Sequence, residues 1–415
     1  MIRSRLGRPR ATLRAVTRVR VIGIGTRTPF GVGAEALING LCEGRAVFAP
    51  YGPFARAGLK HPIAASVTDE TLHHGSLVTR DRGARLLEGA VRDAIEQVTG
   101  VADLQSLSAT VAPERIALVA GTSSSGIGAF CCAQATDQPR AEDDARYASA
   151  THAVARALGV SGPVHVITSV CASGALAIAE AAQMLDDRIV DVAIAAGFDP
   201  LEPFVGAGFD SLNALTDIPR PFRADRRGLA LGEGSAALVL VREDVLPTRR
   251  TVGWIAGWGE SADAHHLTAP DPSGKGVALA IRRALASGSL VEANIDVVNA
   301  HGTGTPFNDA MESAALALVF GPRGGEKPVY TVKGTIGHTL GAAGAIEAAV
   351  SIAAMNASVI PPTVTSGADD ARCAVNLVAG RPIDARTRYT LSLSSAFGGT
   401  NCALVLERGD AEAAS

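Results

Sequence analysis

Apolar residues along the chain fall into short β-branched runs separated by alanine-rich stretches, the alternation of buried strands and helices expected of an α/β layer architecture. Strands are predicted over 19–25, 116–121, 164–169, 192–197 and 236–241. A second series begins near Thr251 with TVGWIAGWGE, runs through IDVVNAHGTGT and PVYTVKGTIG, and closes on the pair YTLSLSSAFGGTNCALVLER. Each series opens on a strand ending in glycine and closes on longer strands. The chain therefore runs through one plan twice, although identity between the halves is too weak to prove a repeat. The divide falls near residues 245–250, which predicts an arm at 1–18, halves at 19–250 and 251–407, and a tail at 408–415. LVTRDRGARLLEGAVRDAIEQV has helical period, with Leu86, Leu87, Ala90, Val91 and Ile95 on one face. Arg80, Arg82 and Arg85 cluster near its beginning. Loop-rich stretches cover 133–144, 216–227 and 269–276.

Composition narrows the function classes. Hydrophobic residues make up 47% of the 415, yet no run approaches the roughly 20 apolar residues that span a bilayer. A soluble, cytoplasmic protein is expected. The net charge of −3 and an aromatic content of 4% supply neither the basic field nor the stacking platforms of a nucleic-acid binder, so partners should be proteins and small molecules. Six cysteines (Cys42, Cys131, Cys132, Cys171, Cys373, Cys402) lack CxxC spacing and read as thiols in a reducing compartment. Residues 1–18 carry six arginines and no acid. They read as a disordered arm, with a transit peptide or an arm for an anionic surface as alternatives.

Candidate chemistry sits where strands end. VHVITSVCASGALAIAEAAQML reads as strand, small-residue turn and helix, with Cys171 close to the helix N-terminus, where backbone N–H groups favour a thiolate. The other reading of Cys171 is plain interior packing. NAHGTGTPFNDAMES places His301 after a strand in a glycine loop with Thr303 and Thr305. VKGTIGHTLGAAGAIEAAVSI places His338 likewise, after a strand predicted over 330–333. Neither histidine has a second ligand at helical spacing, so no metal is expected. His265 and His266 read as structural. Lys333, ending a buried strand, needs a partner, and Glu347 and Glu312 are the candidates. The glycine turn in LSSAFGGTN can aim backbone N–H groups at an oxyanion.

VCASG, NAHGTGTP, VKGTIGHTLGAAG, GLALGEGSAALVL and AFGGTN, in this order and spacing over residues 19–407, resemble the elongating β-ketoacyl-acyl carrier protein synthases and ketosynthase domains. The resemblance implies the thiolase fold, a five-layer αβαβα arrangement of two related halves, usually dimeric. It implies that Cys171 holds an acyl chain while His301 and His338 assist decarboxylation of a malonyl carrier and stabilise the enolate. Lys333 would organise His338, with Glu312 and Glu347 as charge partners. The N–H groups of Cys171 and Phe397 would form the oxyanion hole, and Phe397 would gate the pocket. Thr303, Thr305 and Thr268 would bind the phosphopantetheine arm, and no other cofactor is implied. An acidic acyl carrier protein needs local positive charge, and Arg80, Arg82 and Arg85 could supply it. Two departures from the family pattern are Ala396, where a glycine is common, and a more polar stretch between Gly121 and Cys171. A primary fatty-acid enzyme and a specialised ketosynthase, for type II polyketide or aryl-polyene assembly, both fit. The second would pair with a chain-length partner, and the dimer is expected to be either a homodimer or a heterodimer with such a partner. A silent chain-length subunit and a thiolase are the alternatives.

Overall fold

The computed structural model describes residues 16–72, 81–108, 110–136, 145–321 and 326–409. The first set of strands is β1 (Val19–Thr28), β2 (Ile116–Gly121), β3 (Val164–Ile167), β4 (Val192–Asp199) and β5 (Gly234–Val241). The second is β6 (Gly253–Ala262), β7 (Val297–Asn299), β8 (Pro328–Tyr330), β9 (Asn376–Leu377), β10 (Tyr389–Ser395) and β11 (Thr400–Arg408). Spatial order is β3-β2-β4-β5-β1 in one and β8-β7-β10-β11-β6 in the other, with β9 outside β8. In both sets the first three strands run parallel and the last two antiparallel to their neighbours. Order and direction thus recur strand for strand. The two sets meet where β1 pairs β6 at Val19–Ile255, Arg20–Trp254 and Val21–Gly253.

Five helices complete the layers: α1 (Arg82–Thr99), α2 (Ser173–Asp186), α3 (Lys275–Ser287), α4 (Pro306–Phe320) and α5 (Ala343–Asn356). The α2 and α5 helices share one apolar core with the inner faces of both strand sets, α1 covers the outer face of the first, and α3 with α4 covers the second. The result is αβαβα in two related halves. A central helix is walled on all sides, which is why α5 is apolar around nearly its whole circumference. Leu86, Leu87, Ala90, Val91 and Ile95 of α1 are fully buried, and each such leucine or isoleucine contributes about 1.5–3 kcal/mol. Asp81 caps α1 by accepting from Ala84 N, and Gly100 ends it at φ +80°.

Several local expectations need correction. The strand predicted over 164–169 ends at Ile167, since the chain must turn before Cys171. The strand predicted over 330–333 ends at Tyr330, and Lys333 opens the helical turn Lys333–Ile336. The loop predicted over 133–144 begins inside a helix, Ile127–Thr136, and residues 137–144 lie outside the described residues. Most of the basic arm also lies outside them, but its last residues are tied down. Val16 N donates to Ser287 O, Thr17 N to Asp186 Oδ1, and Arg18 stacks on Trp254. Among the described residues no helix is long and apolar enough to cross a membrane.

Candidate active site

The chain leaves β3 at Ile167 and must reverse into α2 within a few residues. It does so through Val170 at φ +49°, a left-handed conformation costly for a β-branched residue, followed by the 3-10 turn Val170–Ala172. Ser173 Oγ accepts from Ser169 N at 2.8 Å and donates to Val170 O at 2.7 Å, which staples the turn. Cys171 is thereby fixed at the start of α2, buried at 4% exposure. Burial pushes its thiol up to about 12; Lys333 opposes this, Asp199 and Glu347 add to it, and the Phe397 N–H hydrogen-bonded to it pulls down. At rest the sulfur is therefore a thiol, not the thiolate expected from the helix N-terminus alone. A proton acceptor must take part when the sulfur reacts.

Both histidines are brought to this sulfur's pocket. His301 follows β7, and its N–H and that of Gly302 donate to the two oxygens of Glu312, at 2.6 and 2.8 Å. Asp309 holds the next turn by accepting from Gly304 N, so two buried acids of α4 cradle the loop backbone. Burial pushes the Glu312 carboxyl up to about 7, with Gly302 N–H opposing. His338 is held from the first half: its N–H donates to Ala230 O at 2.8 Å, and Gly232 N donates to His338 O at 3.0 Å. This bridge is what the GLALGEG segment provides. The two rings lie 5.3 Å apart, edge to face at 88°. Burial, and then the Lys333 charge, hold both imidazoles well below their ordinary pKa, so both are neutral at pH 7.

Lys333, 2% exposed, is ion-paired with Glu347, and its Nζ lies 3.4 Å from His301 Nδ1. Lys333 makes its imidazole contact with His301, while its charge also acts on His338. Glu347 is its ion-pair partner; Glu312 feels its charge but spends both oxygens on the His301 loop backbone. Phe397 stands over the site with its ring stacked on Phe209 at 5.7 Å. Gly398 and Gly399 take φ +84° and +81°, which only glycine adopts without strain, and Gly398 N donates to Leu267 O. The gate turn thus leans on the loop that carries Thr268.

Cys171, His301, His338 and Phe397 line one cleft of about 230 Å³. Its walls include Thr268, Thr303 and Thr305, with the Thr303 and Thr305 hydroxyls 2.9 Å apart. Phe307 and Leu212, also lining the cleft, are exposed. The arginine cluster does not belong with them. Arg80 lies outside the described residues. Arg82 is committed inward: Nε donates to Glu233 Oε2 at 2.8 Å and Nη2 to Oε1 at 2.6 Å, and Glu233 is fully buried. Arg85 is half-buried, its Nε enclosed. Arg82 is therefore a structural counter-ion, not the carrier contact expected from its place at a helix start. Sequence reasoning also missed Asp199, a fully buried acid at the end of β4. The signal was present as a lone aspartate closing the apolar run VAIAAGFD.

Comparison with known proteins matches this architecture. Residues 16–245 fit the model described as "Beta-ketoacyl synthase, N-terminal domain", and 252–366 the corresponding C-terminal domain. The tetracenomycin polyketide synthase ketoacyl synthase alpha subunit of Streptomyces glaucescens is 32% identical, covering 96% of this chain and 98% of that protein. Nodulation protein E of Rhizobium sp. (strain N33) is also 32% identical, over 94% and 99%. Among solved structures, the ishigamide ketosynthase/chain length factor superposes with TM-score 0.84 at 30% identity, covering 95% of this chain and 100% of that chain. The ketosynthase ApeO in complex with its chain length factor ApeC, from Xenorhabdus doucetiae, gives 0.80 at 28%, over 94% and 98%. The fold is the thiolase fold of condensing acyltransferases. The chain belongs to the β-ketoacyl synthase family.

Proposed function

We propose that the chain is a 3-oxoacyl-[acyl-carrier-protein] synthase performing decarboxylative Claisen condensation. The observation that carries this reading is the convergence of one thiol, two neutral imidazoles and the Phe397 N–H on a single cleft. In the first stage Cys171 Sγ attacks the carbonyl of an acyl thioester while its proton passes to a neutral imidazole. The oxyanion sits against the N–H groups of Cys171 and Phe397, and the pantetheine thiol leaves with that proton. In the second stage a malonyl thioester loses CO2, and the electron pair of the broken bond becomes an enolate held by imidazole N–H donors. Its carbon then attacks the acyl carbonyl on Cys171, and Sγ departs as a thiolate that takes up one proton to restore the thiol, yielding the 3-oxoacyl carrier. Thr268, Thr303 and Thr305 would contact the phosphopantetheine arm, which is the only cofactor the reaction requires, and it arrives on the substrate.

The full-length relatives named as a polyketide alpha subunit and a nodulation protein favour a specialised pathway over primary fatty-acid synthesis. A partner of the same family is part of the reading, whether a second copy or a chain-length factor. Supporting it, β3 pairs on one side only among the described residues, and Phe130, Tyr147 and Phe204 are exposed. The compartment proposed is the cytoplasm. A silent chain-length subunit would not need Cys171, His301 and His338 together. Intact-mass measurement after offering a panel of acyl carriers tests the reading: an acyl adduct on Cys171 is expected, and no adduct from any carrier would overturn it.

A further inference from the structure

The repeated plan places a second elbow opposite the first. Val170 and Leu340 are both left-handed, at φ +49° and +54°, each opens a 3-10 turn, and each turn leads into a 14-residue helix. Cys171 and Gly341 therefore occupy equivalent positions. The contacts are reciprocal: a Cβ on Gly174 would lie 2.9 Å from Ala345 N, and one on Gly344 2.6 Å from Ala175 N. The loops correspond as well. Thr122 N donates to Ile167 O at the end of β3, and Ala300 N to Tyr330 O at the end of β8, so Ser123 answers to His301. Strand register then matches Asp199 with Ser394.

The second elbow is closed. A Cβ on Gly341 would meet Ser123 N at 2.6 Å and Asp199 Oδ2 at 2.7 Å, so a carboxylate fills the space where the other half carries its nucleophile. Asp199 accepts from Thr122 Oγ1 (2.5 Å), Ser123 Oγ (2.6 Å), Ser124 N (2.9 Å), Gly341 N (2.6 Å) and, through both oxygens, Ser123 N (3.1 and 3.0 Å). Three of these partners are backbone N–H groups that can only donate, which suits a carboxylate and no neutral amide. Gly341 lies three residues beyond His338. Ala230 and Gly232 hold the histidine backbone itself, and Asp199 holds the chain that follows it. The same carboxylate grips the turn after β2, and Gly121 there packs so closely on the start of α2 that a Cβ would lie 2.3 Å from Ser173 O.

We propose that Asp199 is a positioning residue for condensation, clamping the His338 loop of one half to the β2 turn that abuts the Cys171 helix of the other. The inference rests on the reaction proposed above. Its test compares the intact protein with Asp199→Asn, an isosteric change that turns an NH2 toward backbone donors. Two steps are read separately: CO2 release from malonyl-acyl carrier protein, and acylation of Cys171 by a small acyl thioester. The expected result is at least a tenfold loss of CO2 release, with acylation within about threefold of wild type. The alkylation profile of Cys171 should also move to lower pH, because a negative charge near the thiol is gone, while the split between CO2 release and acylation is the effect that a general loss of structure would not produce. Parallel loss of both steps, or wild-type rates in both, overturns the proposal. If Asp199→Asn does not fold, Thr122→Val with Ser123→Ala removes both hydroxyl donors, and a wild-type rate of CO2 release in that variant overturns it equally. Wild-type protein that releases no CO2 refutes the proposed reaction instead, so the two failures are distinct.

Discussion

Replacing Lys333 by methionine keeps most of the stem volume and removes the ammonium from a pair whose members are 2% and 0% exposed. Breaking one side of a buried pair costs about 3–5 kcal/mol, because the remaining charge is left uncompensated. Against total stabilities of about 5–15 kcal/mol that is a large fraction. The cost should depend on pH. Burial already raises the Glu347 carboxyl and Lys333 is the largest opposing influence, so without it Glu347 takes up a proton more readily. Urea unfolding of Lys333→Met should therefore show its greatest loss at pH 8 and a smaller one as pH falls. Lys333→Met with Glu347→Gln should recover stability to within about 1 kcal/mol of wild type, since neutral replacement of both partners removes the stranded charge. The double variant also removes a cation that helps hold the His301 pKa down. Its acid limb of CO2 release should consequently move upward, toward the ordinary imidazole value. A single variant as stable as wild type at pH 8, or a double variant no better than the single, would refute the reasoning.

Other outcomes follow from the same geometry. His301→Ala and His338→Ala should each lose CO2 release by about 10²-fold or more while Cys171 is still acylated at least in part, since one imidazole remains to take its proton, read by intact mass. Wild-type CO2 release by both would remove their assigned roles. Arg82→Met strands the buried Glu233 carboxylate and should destabilise by about 3–5 kcal/mol in urea melts, with activity on carriers and on small thioesters falling together. Selective loss on carriers would restore a docking role. Alkylation of free Cys171 by iodoacetamide should keep accelerating well above pH 9, as its raised thiol pKa requires. A plateau below pH 8 would contradict the buried-thiol account.

How much was legible in the sequence depended on whether local pattern or tertiary packing decides the outcome. The apolar strands 116–121 and 236–241, the α1 stripe and the turn at Cys171 are set by local residue pattern, and all can be read from the order of residues alone. The convergence of Cys171, His301, His338 and Phe397 was recoverable from the family resemblance that the ordered motifs carry. Side-chain pairings were not. Lys333 reaches His301 because the chain turns helical after Tyr330, which shifts the lysine from the strand position assumed for it. Arg82 looks like an exposed helix start until Glu233, 151 residues later, is placed beneath it. Asp199 is invisible as a clamp until strand order brings Gly341 against it. The thiolate expectation failed for a related reason: a helix N-terminus can be read from sequence, but the desolvation that outweighs it depends on the whole fold.

The most direct test of the central claim is product formation from an acyl carrier and malonyl-acyl carrier protein by wild type and Cys171→Ala, followed by mass spectrometry of the carrier. The account predicts a 3-oxoacyl carrier with wild type, accompanied by one CO2 per product, and none with the variant. Undiminished condensation by Cys171→Ala would contradict it.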